Sequence, residues 1–305
     1  MRKEMRRRVA AWALLSALVP GQGTAQESAG FAEYAGYAYG VKPDLVYRVA
    51  SGTELKLDLY LPRAPAVKPG LVVYFHGGGW VSGRKEQAAL LLLPWLARGY
   101  AVANVDYRTA AVAPAPAAVE DARCAVKWLA RQGGGYGIDT SSIVLSGDSA
   151  GGHLALIAAM LPAESPLDRA CAGGDSVRWN GGAEAAPRIA AVVNWFGVSD
   201  VAALLSGEGK RNFAVEWLGG AADREGLAAS VSPLRHVRPG LPPVFTIHGT
   251  ADPVVPFAQS AALHEALSRA GVRNVLLPLP GANHGQFTAR DVGRAWDGMW
   301  RFLER

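Results

Sequence analysis

Ser149 stands in Gly147-Asp148-Ser149-Ala150-Gly151, directly after the apolar run Ile143-Val144-Leu145 and directly before a stretch of helical character. A serine on such a strand-to-helix turn is held on a sharp elbow with its hydroxyl presented outward, and the flanking glycines let helix and strand pack closely. Serine is a weak nucleophile, so it needs a base within hydrogen-bond reach and an acid to hold that base in the right tautomer. Of six histidines, His284 in Asn283-His284-Gly285 is the one that follows the last apolar run, Val275-Leu276-Leu277. His153 falls one turn beyond Ser149, His236 and His264 fall in cap or helix segments, and His76 and His248 precede glycines at strand ends, where they brace loops. Asp252, after Val244-Phe245-Thr246-Ile247, is the expected acid; Asp200, after Val192-Val193-Asn194-Trp195-Phe196, competes with it. Asp148 points away from the hydroxyl on an elbow and is expected to make structural hydrogen bonds.

An attacked carbonyl also needs donors for the charge that develops on its oxygen. His76-Gly77-Gly78-Gly79-Trp80 follows the strand-like Leu71-Val72-Val73-Tyr74-Phe75 and offers bare backbone for that purpose. The N–H groups of Gly77, Gly78 and Ala150 are the expected oxyanion hole, and Trp80 is either a pocket wall or plain packing. Asp106 and Arg108 are expected to pair beneath the loop. Each candidate lies where a strand ends, which is where open α/β sheets put their sites.

The elements that must position these groups alternate along the chain. Strands are expected at 47–50, 55–61, 71–75, 101–105, 142–146, 190–195, 243–247 and 274–278, with helices near 85–98, 117–132, 150–161, 257–271 and 286–303. The second strand alternates in polarity and should pair antiparallel with the first; the rest are continuous Val, Leu and Ile runs, as in a mostly parallel sheet covered on both faces. Residues 200–240 are the candidate for a small cap, with a surface excursion as the alternative. The stretch with Tyr34, Tyr37 and Tyr39 is read either as a cover for the pocket or as a poorly ordered extension.

The order Ser149, Asp252, His284 is the serine, acid, histidine order of α/β-hydrolases. After about residue 45 the chain resembles α/β-hydrolase esterases of the hormone-sensitive-lipase-like and feruloyl/acetylxylan-esterase-like (BD-FAE-like) kind. The resemblance rests on His76-Gly77-Gly78-Gly79, Asp106-Tyr107-Arg108, Ala115 to Asp121, Gly147 to Gly152, Asp252 and His284. The acid segment, Gly249-Thr250-Ala251-Asp252-Pro253-Val254-Val255-Pro256, lacks the Asp-Pro-Leu-x-Asp of the hormone-sensitive-lipase group and is similar to the feruloyl/acetylxylan group. The resemblance implies an eight-stranded sheet with a small cap and a carboxylic-ester hydrolase working through an acyl-enzyme without a cofactor or metal. Its substrates would be short-chain acyl or aryl esters, with acetyl or feruloyl esters of plant polysaccharide among them. A serine peptidase on the same fold and a catalytically silent ligand binder are the alternatives.

Arg2, Lys3, Arg6, Arg7 and Arg8 precede an apolar run from Val9 to Val19, then Gly23-Thr24-Ala25. That is the pattern of a cleavable signal peptide over residues 1–25, leaving 26–305 as one domain in the periplasm or outside the cell. Eleven apolar residues are too few for the roughly 20 a membrane span needs, so no stable membrane anchor is expected. Loss of those five basic residues and Glu4 lowers the net charge from +5 to about +1. No basic excess remains for a nucleic-acid partner. Cys124 and Cys171 are the sole cysteines and suit a disulfide in an oxidising compartment, with two free thiols as the alternative.

Overall fold

The computed structural model describes residues 36–162, 165–167, 171 and 187–304. The expected signal peptide, and Tyr34, lie outside these residues. Eight strands form one sheet in the order β1-β2-β4-β3-β5-β6-β7-β8. They are β1 (Tyr39–Ala50), β2 (Thr53–Pro62), β3 (Gly70–Phe75), β4 (Ala101–Val105), β5 (Asp139–Asp148), β6 (Ile189–Trp195), β7 (Val244–Gly249) and β8 (Asn274–Leu279). β1 pairs antiparallel with β2 and β2 with β4; every later pairing is parallel.

The continuous apolar runs are explained by burial on both faces. Leu71, Val73 and Phe75 of β3 enter one core, while Val72 and Tyr74 enter the other; Ile143 and Leu145 of β5 oppose Val144 in the same way. The first core is closed by α3 (Ala117–Gln132), α4 (Ala150–Met160) and α7 (Ala258–Arg269). The second is closed by α1 (Lys85–Ala88), α2 (Leu93–Ala97) and α8 (Ala289–Leu303). Between β6 and β7, α5 (Asn212–Leu218) and α6 (Arg224–Ser230) form the cap region expected at 200–240. This is the α/β-hydrolase fold, and no helix among the described residues is long and apolar enough to cross a membrane.

Some expected boundaries shift. β1 begins at Tyr39, eight residues before the expected start, because this edge stretch is half exposed and shows no clean alternation. Tyr39 is thereby a strand residue whose hydroxyl donates to the Leu96 carbonyl, while Tyr37 is exposed. The helix expected over 85–98 is interrupted by a 3₁₀ turn at Ala89–Leu92 and restarts with Pro94 in its first turn. α8 starts at 289 and not at 286, since the Thr288 hydroxyl caps it by accepting from the Asp291 N–H at 3.2 Å.

Arg108 does not pair with Asp106. Its Nε reaches Oδ2 of Asp121 at 2.8 Å and its Nη2 reaches Glu120 at 2.9 Å, tying the loop after β4 to α3. Asp106 instead accepts from the Lys85 backbone N–H at 2.6 Å. Cys124 on α3 is bonded to Cys171, with Cα atoms 5.1 Å apart.

Candidate active site

β5 ends in the elbow. Ser149 has φ 52° and ψ −117°, a conformation costing roughly 1–3 kcal/mol for a non-glycine residue unless its surroundings hold it. They do: its N–H donates to the Trp195 carbonyl at 2.9 Å, and its carbonyl accepts from His153 N–H at 3.0 Å as α4 begins. Gly151 has no substitute, because a Cβ there would stand 1.9 Å from the Phe75 carbonyl oxygen.

Three side chains from three strand ends meet above this turn. His284 Nε2 lies 3.0 Å from Ser149 Oγ, and His284 Nδ1 lies 2.6 Å from Oδ2 of Asp252. Oδ1 of Asp252 accepts from the N–H groups of Val254 and Val255 at 2.8 and 2.9 Å. Burial pushes the Asp252 carboxyl up, but hydrogen bonds from His248, His284 and Val255 outweigh it and hold the group well below the usual carboxylate range. An ionised Asp252 keeps the proton of His284 on Nδ1 and leaves the Nε2 lone pair facing the hydroxyl. Phe196, edge-on to the imidazole at 4.7 Å, limits its tilt. Asp200 takes no part; its carboxylate faces the Ala203 N–H of its own turn.

Asp252 has a second neighbour. His248 Nε2 lies 3.2 Å from the same Oδ2, and His248 Nδ1 lies 2.7 Å from Ser260 Oγ. Ser260 and His248 are both at 0% exposure, whereas Ser149 is partly open to solvent. Two Ser–His contacts therefore converge on one carboxylate, and Ser149 carries the one an incoming ester can reach.

The glycine loop packs on the elbow: a Cβ at Gly77 would stand 2.4 Å from Oδ2 of Asp148. Burial raises Asp148 above its ordinary range despite the bond from the Tyr74 hydroxyl, which donates to Oδ1 at 2.9 Å. The amides of Gly77, Gly78, Gly79 and Ala150 are bonded to no backbone carbonyl of the described residues. Gly78 sits at φ 115°, and a Cβ there would lie 2.1 Å from the Ser82 carbonyl oxygen. Ala150 opens α4, where the helix dipole favours negative charge.

Trp80 is not a pocket wall. It is fully buried, stacked 4.2 Å from Trp217 of the cap helix α5, and its Nε1 donates to His153 Nδ1 at 3.1 Å. The loop thus rests on an aromatic floor continuous with the cap. A cleft of about 290 Å³ beside the loop is lined by His76, Gly77, Gly78, Ser82, Gly83, Gln87, Ala88, Leu91 and Asp148. Among the described residues no group of three or more His, Cys, Asp or Glu could hold a metal ion. Sequence reasoning missed Phe196, Gly79 and the contact of His248 with Asp252. Phe196, one residue beyond β6, was findable by the strand-end rule that located the others; the other two depend on hydrogen-bond directions that no pattern records.

The fold, the Ser–His–Asp line and the free amides beside it make up the arrangement that serine hydrolases of the esterase/lipase type use. The chain belongs to the BD-FAE family, whose model matches residues 57–267. It is similar to esterase LipQ of Mycobacterium tuberculosis, 30% identical over 245 residues that cover 76% of this chain and 54% of that protein. Among solved structures it is similar to esterase Est2 of the planctomycete Thermogutta terrifontis, with 31% identity, TM-score 0.68, and coverage of 87% of this chain and 91% of that one. A truncated carbohydrate esterase from gut microbiota matches at 25% identity and TM-score 0.68 over 88% of this chain and 98% of that one. The chain spans a little over half the length of the curated relatives it matches.

Proposed function

We propose that the chain is an exported carboxylic-ester hydrolase in which Ser149 is the nucleophile, His284 the base and Asp252 the orienting acid. The observation that carries this reading is the unbroken line from Ser149 Oγ through His284 to Asp252, at 3.0 and 2.6 Å. His284 Nε2 takes the hydroxyl proton as Oγ attacks the ester carbonyl, forming the C–O bond of a tetrahedral intermediate. The amides of Gly78, Gly79 and Ala150 face its oxyanion. Collapse breaks the bond to the alcohol, which leaves with the proton returned by Nε2. Water, deprotonated by the same nitrogen, then attacks the acyl-enzyme and releases acid and Ser149. Nothing in these steps calls for a cofactor or metal. A silent ligand-binding role would leave this complete line without a use.

The preferred substrates are short-chain acyl or aryl esters, including acetyl or feruloyl esters on plant polysaccharide. A short-acyl preference is supported by the small cap, whose helices α5 and α6 have seven residues each. It is supported also by relatives described as propionate-bound and butyrate-bound, and the polysaccharide reading by the relative described as a carbohydrate esterase. Export is supported by the basic and apolar residues 2–19 and by the Cys124–Cys171 bond. A chain-length series of p-nitrophenyl esters, run beside acetylated xylan and methyl ferulate, tests the substrate class. The expected result is kcat/KM highest at two to four acyl carbons, with acetate or ferulate released from the natural esters. Higher kcat/KM on a twelve-carbon ester overturns the short-acyl reading.

A further inference from the structure

His248 is fully buried at the end of β7, and the mechanism above makes no use of it. Its Nε2 lies 3.0 Å from the Val255 carbonyl oxygen and 3.2 Å from Oδ2 of Asp252. A carbonyl oxygen only accepts, so Nε2 carries a proton, and that N–H is shared between the carbonyl and the carboxylate. Nδ1 is then left to accept, and Ser260 Oγ, 2.7 Å away in the first turn of α7, donates to it. Every polar atom of the pair is used. With both residues at 0% exposure, neither water nor an ester reaches Ser260, so this serine acts on the histidine and not on a substrate.

We propose that His248 is a positioning residue for the acid: its Nε2–H, in the tautomer set by the Val255 carbonyl and the carboxylate itself, fixes Oδ2 of Asp252 in the direction of His284, and Ser260 satisfies its Nδ1. The inference rests on the Ser149, His284, Asp252 reading. Oδ2 has two N–H donors, His284 at 2.6 Å and His248 at 3.2 Å, while both short bonds from Val254 and Val255 go to Oδ1. Without His248, Oδ2 would be anchored only by the histidine it is supposed to orient. It would also carry more negative charge toward His284 and stabilise the imidazolium too well for easy return of its proton. The other charged group at the acid loop is Arg211, from the residue before α5, whose Nε and Nη2 hold the carbonyls of Val254 and Pro253 at 2.8 and 3.1 Å. Its bonds go to backbone, so it stays constant when His248 is changed. The remaining neighbours are the rings of Phe257 against His248 and Phe196 against His284.

The test is steady-state kinetics across pH for His248→Leu, His248→Gln and Ser260→Ala on the full mature chain with a soluble ester. His248→Leu removes a donor to a carboxylate, so kcat is expected to fall roughly 10- to 100-fold with KM within about twofold. Its acid limb of kcat/KM should move to higher pH. His248→Gln places an amide N–H where Nε2 stood and should recover most of the loss and return the limb. Ser260→Ala leaves Nε2–H with both of its acceptors and should change kcat by no more than about threefold. If His248→Leu does not fold, His248→Met replaces it, and the downfield proton resonance of the His284–Asp252 hydrogen bond, which it should shift and His248→Gln should not, is read beside the kinetics. Wild-type kcat and limb in His248→Leu or His248→Met, or a loss left unrecovered by His248→Gln with the limb unmoved, overturns the proposal and leaves His248 as a brace for Val255. Ser149→Ala separates this from a failure of the site reading. If that variant keeps turnover, the reading itself fails; if it is inactive while the His248 variants are silent, only the positioning role does.

Discussion

Oδ2 of Asp148 stands 2.4 Å from the point where Gly77 would carry a Cβ. The glycine loop is therefore seated directly on the elbow, and this contact helps place its amides. Gly77→Ala must displace the loop or the Asp148 carboxylate beneath it. Displaced oxyanion donors cost about 10²-fold in kcat, and a loss of that order is expected with KM little changed. Full kcat in a folded Gly77→Ala enzyme would show that the loop does not set the donors.

Asp252→Asn is expected to lower kcat about 10²- to 10⁴-fold, because an amide can present N–H to His284 Nδ1 and reverse its tautomer. Asp200→Asn should stay within about twofold, since its carboxylate caps only its own turn. The two variants, assayed side by side, give the ranking; the opposite order would move the acid to Asp200.

His153 makes stability depend on pH. Its ring is buried between Trp80 and the Val231 carbonyl, and burial pushes its pKa down from 6.5 to about 4. A histidine depressed on folding contributes fully above its unfolded value, and that contribution is lost as pH falls from about 6.5 to about 4, where the unfolded chain binds a proton that the folded one refuses. Over that window the loss amounts to about 3 kcal/mol. Urea unfolding at pH 7 and pH 4.5 should show a smaller pH-dependent loss for His153→Gln than for the wild type, whatever the variant's absolute stability. Equal losses would contradict the buried, uncharged ring.

The strands from β3 to β7 were legible because both faces of the sheet are buried there, so their apolar runs are unbroken and the turns that follow them stand out; the edge strand β8 is only partly buried and was legible from Val275-Leu276-Leu277 alone. For the same reason Ser149, Asp252 and His284 could be picked from their places at strand ends. Residues 39–46 were not legible, since an exposed edge strand has no burial pattern to display. The helix expected over 85–98 concealed a break because its apolar spacing continues through the 3₁₀ turn. Trp80 stayed open between wall and packing because a tryptophan beside a glycine loop looks the same whether it faces the cleft or the cap helix beneath. The packing of Gly77 on Asp148, the exchange of Asp106 for Asp121 as the partner of Arg108, and the sharing of Asp252 by two histidines all depend on side-chain directions. These follow from how the elements pack and not from the spacing of residue types along the chain.

Ser149, and not the buried Ser260, is the serine expected to attack the ester. A fluorophosphonate probe reacts with an activated serine, and peptide mapping by mass spectrometry locates the adduct. The account predicts one adduct, on Ser149, abolished in Ser149→Ala and in His284→Ala, each of which should also lower kcat roughly 10³-fold or more. An adduct on Ser260, or undiminished labelling of the Ser149→Ala protein, would contradict it.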